Sequence, residues 1–170
     1  MTEPWAWDAT RTAAAIRAGE ITAREVAEAT LSRIYTVNPA LNALVAVTGD
    51  EALAAADAAD AAVRAGGPVG PLHGVPVTIK VNVDQKGQAT TNGIRPQAGT
   101  IASADAPLVA NLRRAGAVIV GRTNTPAFSL RWFIVRPWRA LSVNQRSEKA
   151  GVFVRPTITA PARRRFATSG

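Results

Sequence analysis

"GPLHGVPVTIKVNV", residues 70–83, is the stretch on which the fold turns. A Gly/Pro loop runs into strict alternation. Val75, Val77, Ile79, Val81 and Val83 fall on one face of a strand, and Pro76, Thr78, Lys80, Asn82 and Asp84 fall on the other. A period of two predicts a half-buried strand with Lys80 on its polar face. Gln85-Lys86-Gly87 then turns the chain, and an irregular polar loop leads to about Ala104. Asp105 is placed to cap a helix whose first turn holds Pro107, where a missing N–H costs nothing. That helix stops at Gly116, and Ala117-Val118-Ile119-Val120 reads as a short strand of the buried kind. Strand, loop, helix, strand is a βαβ-like order, so the fold class is α/β.

Upstream, the punctuation is equally regular. Residues 9–18 suit a short helix ended by Gly19. Thr22-Ala23-Arg24-Glu25 fits a capping box, and Val26, Ala29 and Ile34 lay an apolar stripe at helical spacing that Asn38-Pro39 is expected to stop. Ala43–Thr48 is a candidate strand. Residues 50–65 form an alanine-rich helix with Asp50 as the expected N-cap and Gly66-Gly67 as terminator; high helix propensity explains the alanine bias.

The composition narrows the function classes. The chain has no cysteine and one imidazole, His73, which excludes thiolate nucleophiles, disulfides and zinc sites built on cysteines or several histidines. His73 lies in a Gly/Pro loop and reads as a turn residue. Thr123-Asn124 follows a buried strand, but a turn that satisfies its own backbone explains it better. No run is long enough to span a bilayer and the first residues lack a signal-peptide plan, so the expected location is the cytoplasm. The net charge of +8 is unevenly held: residues 1–130 carry 11 basic and 11 acidic side chains, whereas residues 131–170 carry nine basic ones against Glu148. Two regions are therefore expected, an ordered α/β part over 1–130 and a basic tail over 131–170 without sustained periodicity.

The segments "GPLHGVPVTIKVNVDQKGQATTNG" (70–93), "DAPLVANLRRAGAVIVGRTNTPAF" (105–128) and "GEITAREVAEATLSRIYTVNPALNALVAV" (19–47) resemble, in order, the N-terminal part of the amidase signature family. The resemblance implies a mixed sheet flanked by helices and hydrolysis of an amide C–N bond by a Ser–Ser–Lys triad. Pro76-Val77-Thr78-Ile79-Lys80 matches the family's P-x-x-x-K strand, which gives Lys80 the role of general base that starts the proton relay. It implies a small-molecule amide as substrate and neither metal nor cofactor. One branch of the family is the amidase component of tRNA-dependent amidotransferases, and the residues quoted do not separate the branches.

Such a lysine has a physical rationale. A serine hydroxyl attacks an amide only when a positioned base removes its proton. An unperturbed lysine, with a pKa of about 10.4, is neutral in roughly one molecule in 2,500 at pH 7, so a working one needs apolar walls and polar partners. Two departures from the family stand out. Val81 occupies the place where an acidic residue usually follows the lysine. The Gly/Ser-rich segment with the bridging and nucleophilic serines is missing: beyond Gly121 the glycines are Gly151 and Gly170, and Ser129, Ser142, Ser147 and Ser169 have no such context. Without nucleophile and oxyanion hole, the chain is expected to be inactive on its own. The likeness, the acids and the periodicity all fade near Arg131-Trp132, as they would if residues from about 133 were read in a shifted frame. The rival reading is a basic nucleic-acid-binding module acting through residues 131–170; no recognisable binding motif supports it, and no nucleic-acid or membrane partner is expected.

Overall fold

The computed structural model describes residues 3–127; the basic tail, the proposed frame break and the four serines beyond Gly121 lie outside the described residues. After a single 3-10 turn at Pro4–Ala6 come helices α1 (Ala9–Ala18) and α2 (Ala23–Leu41), strand β1 (Leu44–Val47), helix α3 (Gly49–Arg64) and strand β2 (Pro76–Lys80). A second 3-10 turn at Arg95–Gln97 precedes α4 (Pro107–Arg114) and β3 (Val118–Thr123).

The helix starts show how sequence becomes structure. Asp8 caps α1 by accepting from the Arg11 N–H at 2.8 Å, and Gly19 ends that helix at φ 72°. At α2 the capping box forms as expected: Glu25 N–H donates to Thr22 Oγ1 at 3.1 Å, and Thr22 N–H donates to Glu25 Oε2 at 2.8 Å. The two orphan donors between them are met from another helix. Ala23 N–H reaches Asp60 Oδ1 at 2.7 Å and Arg24 N–H reaches Asp60 Oδ2 at 3.1 Å. Asp60 of α3 is thus a long-range cap that ties two helices together.

Three local expectations are corrected. Pro39 does not stop α2, which continues to Leu41 and ends at Asn42 in the left-handed region. Proline forfeits its own N–H bond and crowds the carbonyl four residues back, but the helix has only two residues left to run, and Asn38 anchors that last turn by exchanging side-chain bonds with the Leu44 N–H and C=O at 2.8 and 3.0 Å. Asp50 is not the N-cap of α3, because Thr48 holds that position. The Thr48 hydroxyl is used to join the helix to Ile119 O at 3.1 Å, while Asp50 and Glu51 favour the positive helix end from the first turn. Nor does Asp105 cap α4. Ala106 does so without a side-chain bond, because the Asp105 carboxylate is spent on Lys86 N–H (2.8 Å) and Arg113 Nε (2.9 Å).

The sheet is mixed, in the order β1-β3-β2, with β3 antiparallel to β1 and parallel to β2. The β2–α4–β3 unit is the expected crossover. Helices cover both faces. On one, Val118 and Val120 of β3 pack with Val26, Leu31 and Ile34 of α2 and Ala52 and Ala56 of α3. On the other, Ile79 and Ile119 meet Val109 of α4. The alanine-rich sequence of α3 acquires a packing reason here: small side chains let α2 and α3 approach over a shared core.

Two strand lengths differ from expectation. β3 continues through Gly121 and Arg122 to Thr123. Gly121 permits this, since a Cβ there would lie 2.5 Å from Ala46 O and block the approach of β1. β2 stops at Lys80, and Val81-Asn82-Val83 turn away instead of extending the strand. The cause lies in the candidate site.

Candidate active site

β2 and β3 end together. Lys80, the last residue of β2, is in register with Thr123, the last of β3. In open α/β sheets ligands gather beyond the carboxyl ends of parallel strands, so this is the end of the sheet where chemistry is expected. Ile79 is buried against α4 while Lys80 is exposed, as the alternation requires. Among the described residues no hydrogen bond or ion pair reaches the Lys80 ammonium. Ser32, on α2, and Ser103, in the loop before α4, are not bonded to it. The structure therefore presents the lysine at the carboxyl end of a parallel pair, and neither serine among the described residues bonds to it.

The backbone around Lys80 is closely tied. Val81 N–H donates to Thr123 O at 3.0 Å, and Val83 N–H donates back to Lys80 O at 3.0 Å, closing a turn whose first residue is Lys80. Asp84 continues outward, its carboxylate accepting from the Thr90 hydroxyl at 2.6 Å and its carbonyl from the Ala106 N–H at 2.9 Å. Val81, which stands where the resemblance leads one to expect an acid, is buried. Its carbonyl, rather than its side chain, supplies polar contact at that point.

Arg122 makes that contact, and the strand expected over 117–120 ended too early to include it. It is 1% exposed, and its Nη2 donates to Val81 O at 3.1 Å and Val83 O at 2.9 Å. Burial pushes its pKa down, and the nearby Asp84 charge works in the opposite direction. Arg122 Nε and Nη1, Gln85 Oε1 and Asn82 Oδ1 are buried without hydrogen-bond partners among the described residues. A sequence signal existed: an arginine one glycine beyond an apolar run, where the strand can continue, is a charge in an expensive place.

The other singled-out residues have structural roles. His73 is buried, and its Nε2 lies 2.9 Å from Ala59 O, where it holds the Gly/Pro loop against the end of α3. Gly116, at φ 88°, leaves room for it, since a Cβ would come within 2.9 Å of His73 Cα. Asn124 N–H donates to Ala43 O at 2.8 Å, its Nδ2 to Asn42 O at 3.2 Å, and its Oδ1 accepts from Thr125 N–H at 2.8 Å. That is a self-satisfied turn joined to the β1 side. No cluster of three metal-binding side chains occurs among the described residues, and no helix among them is long and apolar enough to cross a membrane.

The amidase family profile matches residues 25–138. The indoleacetamide hydrolase of Bradyrhizobium diazoefficiens is 51% identical over 140 residues, which is 82% of this chain and 27% of that enzyme. The glutamyl-tRNA(Gln) amidotransferase A-subunit of Halorhodospira halophila is 46% identical over 117 residues, 69% of this chain and 24% of that protein. Among solved structures, a bacterial aryl acylamidase of the amidase signature enzymes superposes with a TM-score of 0.69 at 29% identity, covering 74% of this chain and 26% of that one. The chain belongs to the amidase (amidase signature) family and has its α/β fold. It spans about a quarter of the length of these relatives.

Proposed function

We propose that this chain carries the lysine-bearing N-terminal portion of an amide hydrolase whose whole form cleaves small carboxamides by a Ser–Ser–Lys relay, with Lys80 as the general base. The observation that supports it is the placement of Lys80 at the carboxyl end of a parallel strand pair, in a P-x-x-x-K strand of an amidase-family chain. In the relay, neutral Lys80 would take a proton from a bridging serine, which in turn activates the serine nucleophile. The acyl-enzyme then formed would be hydrolysed after the amine leaves. Lys80 would be the first of these groups, and no serine of the sequence stands in the Gly/Ser-rich context of the other two, so by itself the chain is expected to turn over no amide. The 51% identity to an indoleacetamide hydrolase favours a small arylacetamide as substrate of the whole enzyme over the tRNA-linked branch. The two-part organisation, with a basic tail over 131–170 that is read from a shifted frame from about residue 133, belongs to the same proposal, although the family profile runs on to residue 138.

The test grafts residues 25–127 of this chain in place of the matched stretch of the Bradyrhizobium enzyme and measures ammonia release from indole-3-acetamide. Turnover is expected, and Lys80→Ala should lower kcat by about 10²–10⁴-fold, the usual range for a general base. A graft carrying Lys80→Ala that is as active as the parent graft sinks the assignment of Lys80. Amide turnover by the isolated 170-residue chain, abolished by the same substitution, would overturn the expected inactivity.

A further inference from the structure

Arg122 is placed where a purely structural residue would be wasteful. Burying a guanidinium forfeits its hydration, and a well-packed apolar side chain could fill the same space without that penalty. Arg122 nevertheless lies 1% exposed, with no ion pair among the described residues, and spends one nitrogen on two carbonyls. Those carbonyls, of Val81 and Val83, bracket the turn that Lys80 opens and that its own carbonyl closes with the Val83 N–H. Arg122 is also in register with Ile79, the residue before Lys80, so it grips the chain just beyond Lys80 from the strand beside it.

We infer that Arg122 is a positioning residue for Lys80: its Nη2 pins the Val81–Val83 turn to β3 and so fixes where the lysine leaves the sheet. This rests on the reading of Lys80 as the base of the relay. The backbone at Lys80 is held from both sides, by Thr123 through the strand pairing and by Arg122 through the turn. The clamp is what ends β2 at Lys80 despite the continuing alternation of valines. Fixing the strand end fixes the Cα and Cβ from which the flexible lysine stem starts, and a misplacement of about 1 Å in a catalytic group can cost about 10²-fold in rate. Arginine suits the task because its charge is retained under all ordinary conditions and its planar fork presents several donors at once. Nε and Nη1, together with Asn82 Oδ1 inside the turn and Gln85 Oε1 just after it, keep hydrogen-bonding capacity that holding the turn does not use.

The test uses the full chain and avoids amide turnover. The sequence has three lysines, Lys80, Lys86 and Lys149, and one histidine, so ¹³C-dimethylated lysines give few signals and the His73 imidazole reports the fold. In the parent chain, resolved and slowly exchanging Arg122 Nη protons are expected; averaged, solvent-like ones overturn the clamp without any mutation. Arg122→Met should speed amide exchange at Val81 and Val83 at least tenfold, about the loss of one charge-assisted hydrogen bond. It should also move the Lys80 methylamine signal while Lys86 and His73 keep theirs. Arg122→Lys, which retains a charged donor, should restore the Lys80 signal toward the parent position. Unchanged Val83 exchange and Lys80 signal in Arg122→Met overturn the inference, as does loss of the His73 signal in both variants, which would show a global role. A negative result here strikes the clamp alone, whereas an active Lys80→Ala graft strikes the relay reading.

Discussion

Replacing Asp60 with alanine should destabilise the protein by about 3 kcal/mol, although Asp60 touches no part of the candidate site. The Asp60 carboxylate accepts two backbone N–H bonds, from Ala23 at 2.7 Å and Arg24 at 3.1 Å, and these are the first two orphan donors of α2. Ala23 is wholly buried, so its N–H has no access to water once the acceptor is gone. A hydrogen bond to a charged group contributes about 1.5–3 kcal/mol. The shorter, buried bond belongs in the upper part of that range, and the longer bond to a half-exposed residue adds a fraction of it. Favourable interaction of a carboxylate with a helix N-terminus is worth a further few tenths to ~1 kcal/mol, part of it already counted in the bonds. Against a total stability of roughly 5–15 kcal/mol this is a large share, and Tm should fall by roughly 10 °C. Asp60→Asn keeps one acceptor and loses the charge, so about half the effect is expected. Urea unfolding followed by circular dichroism, fitted with a common slope, measures both. A loss below about 1 kcal/mol for the alanine variant would refute the long-range cap, because a single ordinary surface cap already reaches that size. Asp57→Ala, which breaks only the exposed pair with Arg24, serves as the control and should lie within error.

Gly121→Ala places a Cβ 2.5 Å from Ala46 O and 2.8 Å from Leu44 Cδ2, so β1 must move; a loss of about 2 kcal/mol is expected by the same denaturation, and a neutral result would mean that β1 adjusts freely. The Glu25 carboxyl is held below its ordinary pKa by the Thr22 N–H and then by the Thr22 hydroxyl. A depressed folded-state pKa adds stability above the unfolded value, and that stability is lost as pH falls through the folded one. Glu25→Gln should therefore flatten the acid side of the stability–pH curve, and a curve of unchanged slope counts against the capping box as its source. Any nucleic-acid affinity of the full chain should be weak, insensitive to sequence and steeply salt-dependent; tight, sequence-selective binding that disappears when residues 131–170 are removed would favour the rival reading.

Much of this architecture was readable because local rules and tertiary structure agree. Gly19 after an apolar-periodic run, the Thr22/Glu25 box and the alternation through Ile79 each have a short-range cause and were all found where the sequence places them. The polar face of Lys80 is likewise legible in the alternation, but its position is not: the alternation runs on to Val83 and puts Lys80 mid-strand, whereas β2 ends there. The misses have long-range causes. Asp60 caps a helix that begins 37 residues earlier, which no window on α3 reveals. Asp105 has the identity of a cap, yet Lys86 and Arg113 claim its oxygens. Pro39 has the identity of a stop, yet Asn38 bonds to Leu44 and holds the last turn in place. Arg122 was passed over because Gly121 looks like the end of a strand; that glycine is what lets β1 come close and β3 go on.

The order β1-β3-β2 also fixes a timetable. The central strand is the last of the three to be synthesised, and Leu44 and Pro76 find their partners only at Thr123 and Val118. On a ribosome adding about 5–20 residues per second, β1 and β2 emerge seconds before the strand that unites them and have no pairing with each other meanwhile. Helices α1 to α3 can condense at once through Ile16, Ala23, Val26, Ala52 and Ala56, so the nascent chain passes through a helical stage that awaits its sheet. Slowing translation just before β3 would lengthen the time for which two apolar strands stand exposed to chaperones and to one another's copies.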